Sequence, residues 1–243
     1  MAPTRPDEIP YLTGRLTGTP LPRGISLLNG GGKFTPDGAI QYWPGNTFVC
    51  HLDRQSRAFE AIRELQENLK KSVFNRFFTF LPPPSFHMTV FQGIAPSTTP
   101  GNGWPEGVPE ELSREEVTSI LSARLEHLEL PKAFRIKLDG LHCGYSITVS
   151  GANPREEGSL RAARAALRDA TGITFPDFHD YVFHITLAYL IEWLSEMTAR
   201  ELTAFSAEIG ARLADRVRVI DLGPLEFCNF DTMHHFELVQ RIG

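Results

Sequence analysis

The sequence predicts an α+β fold made of two similar halves, and three observations carry that prediction. Strand-like and helix-like stretches follow one another in the same order twice along the chain. The pattern aromatic-His-apolar-Thr-apolar occurs twice, as Phe86-His87-Met88-Thr89-Val90 and Phe183-His184-Ile185-Thr186-Leu187. The spacing repeats as well: Thr47, where the first strand opens, lies 40 residues before His87, and Tyr145 lies 39 before His184.

The elements follow in chain order. Residues 1–46 are rich in Gly, Pro and Thr, with Gly30-Gly31-Gly32 and the turn signal Pro36-Asp37-Gly38, so they read as an irregular N-terminal cover. Thr47–Leu52 reads as a strand, and Phe59, Ile62, Leu65 and Leu69 recur at helical spacing up to about Lys71. Leu81-Pro82-Pro83-Pro84 halts regular structure, because proline fixes φ and removes a donor, and Ser85–Phe91 follows as a strand. Residues 95–109 hold four prolines and three glycines, which predicts a long loop able to act as a lid. Ser113 and Glu116 have capping-box spacing at the head of a helix whose apolar stripe is Val117, Ile120, Leu121, Leu125 and Leu128. Phe134–Leu138 reads as the next strand.

From Tyr145 the order starts again: a strand to Ser150, a helix from about Glu156 to Ala170, a strand Tyr181–Leu190, a helix from about Ser195 to Leu213, and a strand Val217–Leu222. Leu225–Phe230 and His235–Val239 then read as a closing hairpin. The domain organisation expected is a cover, 1–46, and a single bilobal domain, 47–243, with lobe halves of about 47–140 and 141–243.

Composition limits the function classes. At 243 residues, with 42% hydrophobic and 22% charged residues, the chain can bury a sizeable core. A net charge of -5 argues against an extended nucleic-acid surface, which needs many phosphate-neutralising cations. A small phosphorylated ligand or an RNA end fits better. The three cysteines, Cys50, Cys143 and Cys228, are far apart and form no C-x-x-C pair, which points to a reducing, cytoplasmic setting. No basic-then-apolar leader opens the chain, and the apolar stretch Tyr181–Leu194 is broken by His184, Thr186 and Glu192, so neither export nor a membrane span is expected.

The duplicated pattern carries the chemistry. Side chains alternate across a strand, so each His and the Thr two residues on share a face, while Phe86, Met88, Val90 and Phe183, Ile185, Leu187 share the buried one. In-line displacement at a phosphodiester needs a base for the incoming oxygen and an acid for the departing one on opposite sides of phosphorus. Imidazole titrates near neutrality and serves either role, and Thr hydroxyls donate to the non-bridging oxygens. His87, Thr89, His184 and Thr186 are therefore the candidate catalytic residues. Which histidine is acid and which is base is open, as is whether the product is the 2′- or the 3′-phosphate.

These two motifs, with the Leu81-Pro82-Pro83-Pro84-Ser85-Phe86 run before the first, resemble the two-histidine phosphoesterase superfamily. It includes bacterial RNA 2′,3′-cyclic phosphodiesterases, once called 2′-5′ RNA ligases, and plant cyclic phosphodiesterases. The resemblance covers about Thr47 to Val239. It implies two antiparallel sheets flanking a central cleft, no metal and no cofactor, and the two His-Thr pairs as catalytic. The expected substrate is a 2′,3′-cyclic nucleotide or an RNA terminus. The cover and the 95–109 loop depart from the smallest members.

Other residues carry competing readings. Tyr42 and Trp43 are candidates for stacking on a base, and Asn46 for a polar contact to substrate. Gly30-Gly31-Gly32-Lys33-Phe34 fails the Walker pattern, since Phe34 stands where Ser or Thr belongs. His51, His127, His142, His179, His234 and His235 form no H-E-x-x-H and no carboxylate-paired set at ligand spacing. No G-x-S-x-G elbow is present. Arg76 reads as a solvated surface residue. Two other classes use the same groove: a non-catalytic module holding a nucleotide or RNA end, and a ligase-like phosphotransferase.

Overall fold

A computed structural model describes residues 5–243. Residues 1–4 of the expected cover lie outside the described residues. Helix α1 (Glu8–Leu12) opens the chain. Then come β1 (Gly45–His51), α2 (Arg57–Lys71), β2 (Phe78–Phe80) and β3 (His87–Gln92). The short pair β4 (Thr99–Pro100) and β5 (Gly103–Trp104) precedes α3 (Arg114–Leu125), β6 (Phe134–His142), β7 (Ser146–Gly151) and α4 (Pro154–Thr171). The chain ends with β8 (His184–Thr186), β9 (Ala188–Leu190), α5 (Glu196–Arg216), β10 (Val219–Leu222), β11 (Leu225–Thr232) and β12 (His235–Ile242).

The fold is α+β, as expected. Eight strands form one sheet in the order β10-β6-β7-β8-β3-β1-β11-β12, with every neighbouring pair antiparallel. The two antiparallel sheets of the expectation are its four-stranded halves, joined across β3 and β8 through the pair Met88↔Ile185. The strands cross the boundary expected near residue 140. β6 lies in the half that carries His184, and β11 and β12 complete the half that carries His87.

Local sequence accounts for the helices. Ser56 caps α2 by accepting from the Phe59 amide at 3.0 Å, and Phe59, Ile62, Leu65 and Leu69 face the core as their spacing dictates. Ser113 and Glu116 form the expected capping box of α3. Asn153 caps α4, and Gly172 ends it in the left-handed region at φ +73°, a conformation glycine adopts without a Cβ clash. α4 packs on β3, β6 and β7, so the buried sides of these strands face it.

Three elements differ from the sequence reading. Tyr181–Leu190 is two short strands in different sheets. Leu187, fully buried between them, receives the Leu81 amide at 3.0 Å and the Gln66 side-chain amide at 2.8 Å, which turns the chain out of the main sheet and lets β9 pair with β2. The cover is not wholly irregular: it holds α1 and is pinned by Leu12 and Phe34, both 0% exposed. The 95–109 loop, read as able to act as a lid, holds the short pair β4 and β5. Gly103 and Glu106 donate to the carbonyls of Thr174 and Gly172 at 2.8 and 2.9 Å, and Arg124 donates to Glu106, which fastens the loop to the ends of α3 and α4.

Candidate active site

The pair Met88↔Ile185 fixes the geometry of the site. In an antiparallel pair, the residues flanking one matched position are matched in reverse, so His87 stands opposite Thr186 and Thr89 opposite His184. Met88 and Ile185 are both 0% exposed, so the four flanking side chains project from the other face. All four are half-buried. The two histidines are diagonal neighbours, a relation that separates Cα atoms by about 7–8 Å.

The neighbouring strands extend this polar face. β7 matches Ser146 with Thr186 and Thr148 with His184, and β1 matches His51 with His87. Ser146, Thr186, His87 and His51 thus form one row across four strands, with Thr148, His184 and Thr89 beside it. Between Ser146 and Thr148, Ile147 is 0% exposed and faces the core. That alternation was visible in the strand Tyr145–Ser150, and could have added Ser146 and Thr148 to the candidates.

Each catalytic candidate is held in the same way. His87 Nδ1 lies 2.7 Å from the Ser85 carbonyl and His184 Nδ1 lies 2.8 Å from the Val182 carbonyl, two residues upstream in both cases. A carbonyl only accepts, so Nδ1 carries the proton and Nε2 presents a lone pair in the neutral ring. Phe236 packs edge-on against His87 with ring centroids 4.4 Å apart, and Tyr181 lies 6.0 Å from His184.

Burial sets the charge state. Protein surrounds both rings although each keeps an open edge, and that desolvation pushes His87 down to about 3, with the neighbouring His51 adding to it. His184 is pushed down to about 4, first by burial and then by the Arg5 guanidinium. Both rings therefore stand neutral at pH 7.

Two cations that sequence reasoning missed approach this face. Arg5 donates from Nη2 to Ser146 Oγ at 2.9 Å and from Nε to Thr148 Oγ1 at 3.3 Å. Lys33 Nζ lies 3.3 Å from the Tyr189 hydroxyl. No sequence signal ties Arg5 to strand residues more than 140 positions away, because that contact exists only in the folded chain.

The three binding candidates fare differently. Asn46 is 1% exposed and both ends of its amide are engaged: Oδ1 accepts from the Ile94 amide at 2.9 Å and Nδ2 donates to Thr118 Oγ1 at 3.2 Å. It also sits five residues along β1 from His51, roughly 16 Å at strand rise. Asn46 is thus a structural residue, which corrects its reading as a substrate contact. Trp43 packs against the core with its amide on the Asp231 carbonyl, and Tyr42 is 70% exposed; neither ring stacks on His87 or His184. The Gly30-Gly31-Gly32 segment is a plain turn, with the Gly30 amide on the Leu27 carbonyl and the Gly32 amide on Ser26 Oγ.

Among the described residues, two trios bring possible metal-ligand atoms together: Glu8, His142 and Cys143, and His51, Glu226 and Cys228. In the second, His51 Nδ1 lies 2.6 Å from Glu226 Oε2, a pairing across 175 positions that no ligand spacing in the sequence carries. Burial raises both thiols, Cys228 to about 12, which keeps them protonated at neutral pH when no cation is beside them. No helix among the described residues is long and apolar enough to cross a membrane.

Residues 33–146 match the 2H-phosphodiesterase family model, described as a domain of unknown function (DUF1868). Among solved structures, the chain is similar to a conserved protein of unknown function from Agrobacterium tumefaciens strain C58, with 28% identity, a TM-score of 0.88, and coverage of 98% of this chain and 99% of that one. A phosphoesterase crystal structure aligns at 14% identity and a TM-score of 0.47, covering 82% and 96%. E. coli LigT complexed with phosphate aligns at 13% and 0.43, covering 83% and 97%. No curated protein matches the chain.

Proposed function

We propose that this chain is a two-histidine phosphoesterase, a reading supported by its paired motifs and by the family-model match over residues 33–146, and that it hydrolyses a cyclic phosphodiester without a metal. A 2′,3′-cyclic nucleotide or a cyclic-phosphate-ended RNA terminus is the substrate class. One observation carries the reading: His87 opposes Thr186 and Thr89 opposes His184 on one face of adjacent strands, with both Nδ1 atoms spent on backbone carbonyls.

A phosphate seated between the two rings has one Nε2 on each side. Water attacks phosphorus as one Nε2 takes its proton, and the P–O bond to the departing ribose oxygen breaks as the other ring protonates that oxygen. The product is a phosphomonoester. Thr89 and Thr186 donate to the non-bridging oxygens as charge builds on them. The acid must acquire its proton on binding, and an anion between two desolvated imidazoles raises their pKa values toward neutrality.

The test is turnover of 2′,3′-cyclic nucleotides and of a cyclic-phosphate-ended oligonucleotide in EDTA, by wild type, His87→Ala and His184→Ala. Turnover should survive chelation and fall about 10²–10⁴-fold in each variant. Turnover abolished by EDTA, or retained in either variant, refutes the mechanism. Binding without turnover would favour a non-catalytic module, and joined product a ligase.

A further inference from the structure

We propose that the N-terminal segment supplies the cationic side of the phosphate site, with Arg5 and Lys33 closing over the His-Thr face and holding the substrate's non-bridging oxygens. This rests on the reading of that face as a phosphoesterase centre.

The argument begins with the placement of Arg5. It bonds Ser146 and Thr148, and these are the strand partners of Thr186 and His184 on the same sheet face. Directly opposed residues have Cβ atoms about 5 Å apart, so the guanidinium lies beside the second motif. Guanidinium offers five N–H donors, and the two bonds to hydroxyls leave others free to point at a ligand.

Its charge has no partner. Among the described residues, no carboxylate lies within ion-pair distance of Arg5; of the two in the same stretch, Asp7 accepts from the Ile9 amide at 3.2 Å and Glu8 from the Cys143 amide at 2.9 Å. Hydroxyls solvate a cation without neutralising it. A half-buried cation has lost part of its hydration, and an incoming anion offsets that loss. Burial lowers the Arg5 pKa, and the same charge depresses His184.

Lys33 adds a second cation. Its ammonium lies 5.2 Å from the Tyr189 ring centroid, in β9, which follows the second motif directly, and it also makes no ion pair among the described residues. It contributes to lowering both His87 and His184. A protein of net charge -5 thereby sets Arg5 on the His-Thr face and Lys33 beside the strand that follows the second motif. An arginine fork matches phosphate oxygens in pairs, and a lysine adds a point charge.

The experiment titrates inorganic phosphate into the full chain while following the His87 and His184 ring resonances by NMR, in wild type, Arg5→Gln, Arg5→Lys and Lys33→Met. Phosphate should move both resonances in wild type. Affinity should fall about tenfold or more in Arg5→Gln, and less in Lys33→Met and in Arg5→Lys, which keeps the charge but loses the fork. In the ligand-free protein, Arg5→Gln should also raise the His184 pKa while Arg5→Lys, which loses the bonds to Ser146 and Thr148 but keeps the charge, should not, whereas a merely structural fastening would move it in both. Phosphate affinity unchanged in both Arg5→Gln and Lys33→Met, with the histidines still responding, overturns the proposal and leaves the phosphoesterase reading intact. No response in wild type, together with no turnover of cyclic phosphates, overturns both.

Discussion

Acidification should destabilise this fold through its two motif histidines, by an amount that follows from their placement. In the unfolded chain both rings titrate at their ordinary value of 6.5; in the folded protein burial holds His87 at about 3 and His184 at about 4. Between those limits the unfolded state binds protons that the folded state refuses, so stability is complete above pH 6.5 and falls as pH drops through that value. At pH 5 each ring sits 1.5 units below its unfolded pKa, which corresponds to about 2 kcal/mol per ring, or roughly 1–2 once solvent at the open edge is allowed for. The pair thus removes roughly 2–4 kcal/mol from a fold whose total is typically about 5–15. Urea denaturation of wild type and of His87→Gln/His184→Gln at pH 8 and pH 5 measures this directly. Wild type should lose roughly 2–4 kcal/mol more than the double variant over that interval. Equal losses would show that the rings protonate freely in the folded protein, and the neutral, desolvated pair described above would be wrong.

Two further outcomes follow from the site and its supports. Thr89→Val and Thr186→Val keep side-chain shape and remove one donor each, so kcat on a cyclic substrate should fall roughly 10²-fold while the thermal midpoint stays in place. Asn46→Ala leaves the Ile94 amide without its partner in a buried setting and should cost about 1–3 kcal/mol in urea denaturation, with KM for a cyclic substrate unchanged. A rise in KM there would restore Asn46 as a substrate contact.

How much of this was legible in the sequence depended on the range of the interactions. The α3 cap was readable because Ser113 and Glu116 act on each other's backbone within a single turn. The α2 stripe was readable because its period is the period of the helix. The four motif residues were readable because strand alternation places His and Thr on one side whatever the partner strand is. Their mutual placement was not, since it is set by the pairing of Met88 with Ile185 across 97 positions of chain. The break at Leu187 was hidden for the same reason: Gln66 and Leu81, which hold it, are remote in sequence. Asn46 was misread because an isolated polar residue at a strand start looks alike whether it meets a ligand or Thr118.

The order of strands has a consequence for synthesis. The half-sheet that carries His87 consists of β3, β1, β11 and β12, and its last two strands span Leu225–Ile242. A nascent chain emerging N-terminus first presents His87 long before those strands exist. The half around His184, β10-β6-β7-β8, is complete once Leu222 has emerged. The later motif in sequence is therefore the earlier one to be housed, and β1 keeps an unpaired edge on the ribosome until the final hairpin arrives. Cutting the gene at the duplication boundary would not return two ancestral halves, because each half-sheet draws strands from both sides of the cut.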